Sequence, residues 1–317
     1  MINIALLGFG TVGHACYQIL QERKGLLDDQ LEDSFQVKRI LVRDIEKYRQ
    51  EEAVNLMTTD IQEILDDPEI NCIIELTGAV EDLIDPIKAA MDKKIHIITA
   101  NKALVSRYME ELEEAAERNG VLLRFDAAVA GAIPLIESLK KMSLLNEITS
   151  IEGVLNGTCN FILSKMEDGK DYHSALQEAQ ELGFAEADPT ADVEGYDTMR
   201  KIRICSSIAF RSPVLEEDID CKGISELKKE AVQKANEEGK RIKLVARAMK
   251  SDEGIKVTVA PEPVDQKTIL GGLKDGENAV IIRCSNAGTI TLKGLGAGGR
   301  PTAFAVLSDF LSIYKKD

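Results

Sequence analysis

The chain opens with an apolar run, Ile2 to Leu7, that passes through Gly8, Gly10 and Gly13 into the amphipathic stretch HACYQIL. A short apolar run bounded by glycine predicts a buried strand, and apolar positions three and four residues apart predict a helix behind it. The alternation then repeats. QVKRILVR reads as a second strand, DIQEILDDP as a short helix and NCIIELTG as a strand. DLIDPIKAAMDKK reads as a helix, IHIITAN as a strand, SRYMEELEEAAERNG as a helix closed by Gly120, and VLLRFDAA as another strand. Strands separated by such helices predict a parallel, doubly wound sheet. From Ile208 to Glu238 the pattern is charged and helical. RIKLVARAMK, IKVTVAPEPV, NAVIIRCS and GTITLKG then alternate as strands of an antiparallel or mixed sheet, with one face on helices and the other against a partner.

The opening glycines have the spacing G-x-G-x-x-G, directly after a strand and at the start of a helix. In that setting the glycines permit a tight turn and close approach to a pyrophosphate, which lies at the helix N-terminus, so the first half is expected to be a Rossmann-type dinucleotide unit. Candidate cofactor contacts are Gly8, Phe9, Gly10, Thr11, Val12 and Gly13, then Thr77, Gly78, Ala100 and Lys102 at the carboxyl ends of later strands. After the second strand the chain offers Arg43, suited to a ribose 2'-phosphate, and then Asp44, suited to a 2'-hydroxyl. Arg43 makes NADP(H) the preferred cofactor and Asp44 leaves NAD(H) open.

Length and composition narrow the class. At 317 residues, 44% apolar and 29% charged, the chain is expected to form two packed globular units. Its N-terminus lacks the basic region of a signal peptide, and no apolar run reaches the length of a membrane span, so a cytoplasmic location is expected. A net charge of -15 disfavours nucleic acid and anionic membranes as partners. Six cysteines are scattered without a C-x-x-C pair, and the three histidines do not cluster near them, which predicts reduced thiols and no zinc site.

GFAEADPTADVEGYDTMRK, residues 183–201, is the most specific segment. Glu186, Asp188, Asp192, Glu194 and Asp197 precede a helix expected to begin near Tyr196, on which Lys201 follows Asp197 by one turn. An Asp and a Lys so spaced are commonly an exposed pair. Here, however, the stretch fills every fixed position of G-[FY]-x-E-x-D-P-x-x-D-x-x-G-x-D-x-x-x-K, and so resembles the substrate motif of homoserine dehydrogenases. Further resemblances to that family follow in order along the chain. They are TANKALVS around Lys102, RFDAAVAGAIPLIESLKK from Arg124, IEGVLNGTCNFILSKME from Ile151 and GLGAGGRPTAFAVLSDFL from Gly294.

The resemblance implies reversible NAD(P)H-dependent reduction of L-aspartate 4-semialdehyde to L-homoserine, on the route to threonine, methionine and isoleucine. It implies Lys201 as proton donor, with oxidation favoured at alkaline pH, and Lys102 as a second catalytic lysine near the nicotinamide. Glu186, Asp192, Asp197, Gly157 and Thr158 would contact or orient the substrate. Gly298 would lie near the cofactor, on a final helix that returns to the nucleotide unit. The implied division is a dinucleotide unit over 1–127 and 297–317 and an α+β unit for substrate and dimer formation over 128–296. Also implied are a homodimer and a sodium or similar monovalent ion held by Asp126, Val129, Gly131 and Ile133. The first of these is Asp where the family usually has Glu. Longer members add a C-terminal regulatory domain, and feedback control through one is not expected here. Cys159 raises the alternative of an acylating semialdehyde dehydrogenase, which needs a basic neighbour that no histidine close in sequence supplies. A dehydrogenase of another small amino acid or semialdehyde, or a non-catalytic NADP(H)-holding protein, would also satisfy the first half of the chain.

Overall fold

The structure is a computed structural model and describes residues 1–315, which fall into two compact units. The first unit takes residues 1–131 and the chain from Gly298 onward, and the second takes Ala132–Ala297.

In the first unit β1 (Ile2–Leu7) is buried along its whole length and leads through the glycine turn into α1 (Thr11–Glu22). Then follow α2 (Lys24–Leu31), β2 (Phe35–Leu41), β3 (Met57–Thr58), α3 (Gln62–Leu65), β4 (Cys72–Glu75), α4 (Ile84–Asp92), β5 (His96–Thr99), α5 (Lys102–Asn119) and β6 (Leu123–Arg124). The six strands form one parallel sheet in the order β3-β2-β1-β4-β5-β6, the doubly wound arrangement expected from the strand and helix alternation. Strand order reverses at β1, where Leu7 pairs with Leu41 on one side and with Glu75 on the other, and Glu75 in turn pairs with Thr99. Four strands therefore end level, and the loops after them share one edge.

Two expectations for this unit need correction. The helix anticipated from Ser106 begins at Lys102, because the Asn101 side chain accepts from Leu104 N at 3.1 Å and caps it there. VLLRFDAA contributes only the two strand residues of β6 before a 3-10 turn at Asp126–Ala128. The backbone N–H of Asp126 donates to the Asp309 carboxylate at 2.9 Å and so leaves the ladder.

The second unit runs α6 (Ile136–Leu145), β7 (Ile148–Val154), α7 (Gly157–Glu167), α8 (Tyr172–Glu181), α9 (Thr190–Val193), α10 (Tyr196–Phe210), β8 (Asp220–Cys221), α11 (Lys229–Glu237), β9 (Lys240–Ser251), β10 (Gly254–Asp265), β11 (Glu277–Cys284) and β12 (Gly288–Leu295). Its sheet has the order β12-β11-β7-β9-β10-β8, antiparallel except where β10 meets β8. Helix α10 packs on β7, β9 and β10. In the other register a cross-strand ion set joins Arg247 to Glu152 and Glu262, and Arg283 to Glu152. The helix anticipated across Ile208 to Glu238 is mostly not one. Arg211 adopts a left-handed conformation (φ 53°) and Pro213 follows, which stops α10 at Phe210, and helix resumes only at Lys229.

The last helix, α12 (Gly299–Tyr314), belongs to the first unit, where it packs on α1 and buries Ala303, Val306 and Phe310 in the core with Cys16, Leu20 and Phe35.

Candidate active site

At the level edge of the first unit, Gly8 takes φ 99°, a conformation that disfavours any side chain. A Cβ on Gly13 would stand 2.2 Å from the carbonyl oxygen of Gly8, so helix and strand touch at backbone distance. Gly10, in contrast, has no atom within 4 Å of the position a Cβ would take. The first turn of α1 thus opens onto free space with its backbone N–H groups pointing outward, a cradle that fits a pyrophosphate. Thr11 and Gly10 are exposed there and Val12 is half-buried, whereas the Phe9 ring is buried edge-on against His14, Tyr17 and Tyr48. Phe9 therefore offers a ligand only its backbone. Arg43 is exposed just beyond β2, while Asp44 turns one carboxylate oxygen onto the N–H of Glu46 at 2.9 Å. Gly298 takes φ 125° at the start of α12, and a Cβ on Gly299 would press within 2.9 Å of Thr11.

Sequence reasoning overlooked the carboxylate that shapes this edge. Glu75 is fully buried at the end of β4. It accepts from the N–H and hydroxyl of Thr77 at 2.7 and 2.8 Å and from the Thr99 hydroxyl at 2.6 Å. Thr99 Oγ1 accepts in turn from Asn101 N, and the Asn101 amide donates to Ala79 O at 2.5 Å. The loop carrying Thr77 and Gly78 is so tied to the loop carrying Ala100, and Asn101 sets Lys102 as the first residue of α5. A buried acid after an apolar strand, ELT, was the available signal.

In the second unit the acidic segment and the Asn156 loop come together. Asn156 caps α7, its side-chain oxygen accepting from Cys159 N at 2.7 Å, and its amide donates to Asp192 Oδ1 at 2.7 Å and Asp197 Oδ2 at 2.9 Å. Lys201 Nζ lies 2.7 Å from the same Asp197 Oδ2 and donates to Leu155 O at 2.7 Å. Asp197 and Lys201 are 3% and 7% exposed, so this is not the solvated surface pair that its spacing commonly gives. Gly195 makes the entry to α10 feasible with φ 84°. Thr158 donates to Phe184 O at 2.7 Å, linking the start of α7 to the head of the acidic segment. Gly157 and Thr158, expected to contact the substrate, stand in the first turn of α7, whose N-cap is Asn156. Asn156 was the residue missed, though the N-G-T sequence carries a cap signal.

The remaining candidates separate from this cluster. Glu186 is exposed on a turn where its carbonyl oxygen accepts from Gln180, and its side chain stands outside the Asn156 hydrogen-bond set. Cys159 is fully buried, its Sγ donates to Asp192 O at 3.1 Å, and burial together with the charges of Asp192 and Asp197 pushes the thiol well above its usual range. Such a thiol is not a nucleophile. Along 126–133 the donors are oxygens alone, a buried Asp126 and a run of carbonyls that Ala130 (φ 63°) and Gly131 (φ 57°) turn back in the left-handed region. Val129 and Ile133 are buried, and Ile133 O already accepts once, from Leu135 N at 2.8 Å. Within the first unit, Asp126 and the carbonyls of Val129 and Gly131 are oxygen donors of the kind that fits a hard cation. Among the described residues no helix is long and apolar enough to cross a membrane.

Comparison with known proteins bears on both units. Residues 8–126 match the family model described as homoserine dehydrogenase, NAD binding domain, and residues 134–311 match the one described as homoserine dehydrogenase. The chain is 37% identical over 316 residues to the homoserine dehydrogenase of Bacillus subtilis, covering 99% of this chain and 73% of that protein. The crystal structure of a homoserine dehydrogenase from Thiobacillus denitrificans superposes with a TM-score of 0.95 at 38% identity, covering 99% of this chain and 73% of that one. A hyperthermophilic archaeal homoserine dehydrogenase, solved in complex with NADPH, superposes with a TM-score of 0.84 at 27% identity, covering 98% and 97%.

Proposed function

The chain belongs to the homoserine dehydrogenase family, and from that premise we propose which of its residues carry the reaction. It is an NAD(P)-dependent oxidoreductase that interconverts L-aspartate 4-semialdehyde and L-homoserine. The carrying observation for the assignment of residues is the buried cluster of Asn156, Asp192, Asp197 and Lys201.

A nicotinamide bound in the first unit would supply or accept hydride at the substrate's C4. In reduction the carbonyl oxygen gathers negative charge, and a cation that also holds a proton stabilises and neutralises it. Lys201 fills that role. Two of its three N–H directions are used by Leu155 O and Asp197, which fixes the ammonium, and the third is the one to aim at a substrate oxygen. Asp197 orients Lys201, and Asn156 holds Asp197 and Asp192 in place. Asp192, Glu186, Gly157 and Thr158 contact the amino acid.

In the first unit Gly8 to Gly13 and Gly298 take the dinucleotide phosphates, Thr77, Gly78 and Ala100 line the nicotinamide side, and Lys102 meets the nicotinamide ribose. Exposed Arg43 favours NADP(H) over NAD(H), in keeping with the NADPH of the archaeal relative. A sodium-like cation held by Asp126 and the carbonyls of Val129, Gly131 and Ile133, a homodimer formed through the second sheet and a cytoplasmic location complete the proposal.

The test is homoserine-dependent appearance of reduced nicotinamide absorbance with NADP+ or NAD+, in the parent and in Lys201→Ala. Turnover is expected in the parent and a loss of more than tenfold in the variant. A variant that keeps over a tenth of parental turnover removes Lys201 from the proton transfer.

A further inference from the structure

Lys243 lies in the first third of β9, fully buried, at a cost that a methionine of similar volume would avoid. The reaction as described gives it no task. Its ammonium donates to the Asn160 side-chain oxygen at 2.8 Å and to Leu273 O at 2.9 Å, and Glu167 Oε1 stands 3.8 Å away. Asn160, in the first turn of α7, donates onward to Asp275 O at 2.9 Å. The same segment presses on the head of α7, since a Cβ on Gly157 would lie 3.2 Å from the Cα of Gly276. The lysine thus bonds both sides of one contact, α7 and the 273–277 segment, one turn from Asn156.

We infer that Lys243 is a positioning residue for the substrate, a buried pin that sets the Asn156–Gly157–Thr158 head of α7 against the 273–277 segment and so fixes affinity for the amino acid. The inference rests on the reading of that helix head as the amino-acid contact. Burial lowers the Lys243 pKa to about 8, against the pull of Glu167 on α7, of Asp275 just before β11 and of Glu277 at its start, with Arg241 on its own strand adding to the fall. Above that pH the pin loses its charge and one donor.

The experiment compares the parent with Lys243→Met and Asn160→Asp, measuring KM for homoserine, KM for the nicotinamide cofactor and kcat from pH 7 to 9.5. Expected in Lys243→Met is a homoserine KM raised at least tenfold, with cofactor KM and kcat within about twofold. A rise in homoserine KM around pH 8 in the parent is expected to vanish in Lys243→Met. In Asn160→Asp, where a carboxylate faces the ammonium, it moves to higher pH. Equal changes in both KM values, or an unaltered pH limb in Lys243→Met, overturn the inference. Should Lys243→Met fail to fold, Asn160→Asp decides, and an unmoved limb overturns it. A silent Lys243→Met beside an inactive Lys201→Ala sinks this inference alone, whereas a fully active Lys201→Ala sinks the reading beneath it.

Discussion

Asn156→Asp isolates the donor role of Asn156, because aspartate caps a helix as well as asparagine and the bond from Cys159 N survives. What changes is the amide nitrogen, now an oxygen facing Asp192 Oδ1 at 2.7 Å and Asp197 Oδ2 at 2.9 Å. Two hydrogen bonds to charged acceptors, worth roughly 1.5–3 kcal/mol each, are lost. Like charges about 4 Å apart add roughly 4 kcal/mol of repulsion at an effective dielectric near 20. Protonation caps the sum. Holding a proton at pH 7 on an acid of ordinary pKa near 3.9 costs about 4 kcal/mol, and the protonated group recovers one of the two bonds. The variant should therefore unfold about 6–7 kcal/mol more easily at pH 7, the proton cost plus the one bond still lost. The new carboxyl has a raised pKa in the folded state, so the folded protein binds the extra proton and the deficit shrinks as pH falls, by about 1.4 kcal/mol per unit. Urea unfolding of parent and variant between pH 5 and 7.5 reads this out. A difference that stays below about 1 kcal/mol, or that does not change with pH, would refute the account of Asn156 as the bridge between two carboxylates.

Gly13→Ala must open the 2.2 Å approach to Gly8 O by about 1 Å, a displacement of the cofactor cradle that can cost about 100-fold in rate, so turnover should fall by that order and cofactor Kd by fluorescence titration should rise. Cys159→Ala should keep turnover within about fivefold and lose stability by about 1–2 kcal/mol in thermal unfolding, since the thiol is packing and not chemistry. For Lys243, a folded pKa near 8 against 10.5 unfolded means the folded protein binds fewer protons between those values. Stability should thus rise with pH there, by about 3 kcal/mol in total relative to Lys243→Met, in paired urea titrations.

The parallel, doubly wound class of the first sheet and its glycine turn were legible because period and glycine spacing are local properties of the chain, whereas the strand order was not. Residues 183–201 pointed to Lys201 and Asp197 for the same reason, since a helix turn carries one to the other. For Asn156 and Glu75 only a local signal was legible, a cap residue and a strand-end acid, and not what each one joins. Each acts on partners far along the chain, Asp192 and Asp197 for one and Thr99 for the other, and nothing in NGT or ELT says which distant groups will arrive. The charged stretch after Phe210 misread as helix because composition there suits one, while Arg211 and Pro213 decide the backbone. Phe9 shows the converse, a residue inside a binding motif whose side chain serves the core.

The return of α12 sets an order of events during synthesis. The second unit is one continuous stretch and can close while the ribosome is still at work, but the first holds an open seat for Ala303, Val306 and Phe310 until the final helix is made. At translation speeds of about 5–20 residues per second, that apolar seat beside Cys16, Leu20 and Phe35 waits on the order of ten seconds or more. The nascent first unit is then a natural client for a chaperone, and its nucleotide fold is completed only after the whole of the second unit has been made.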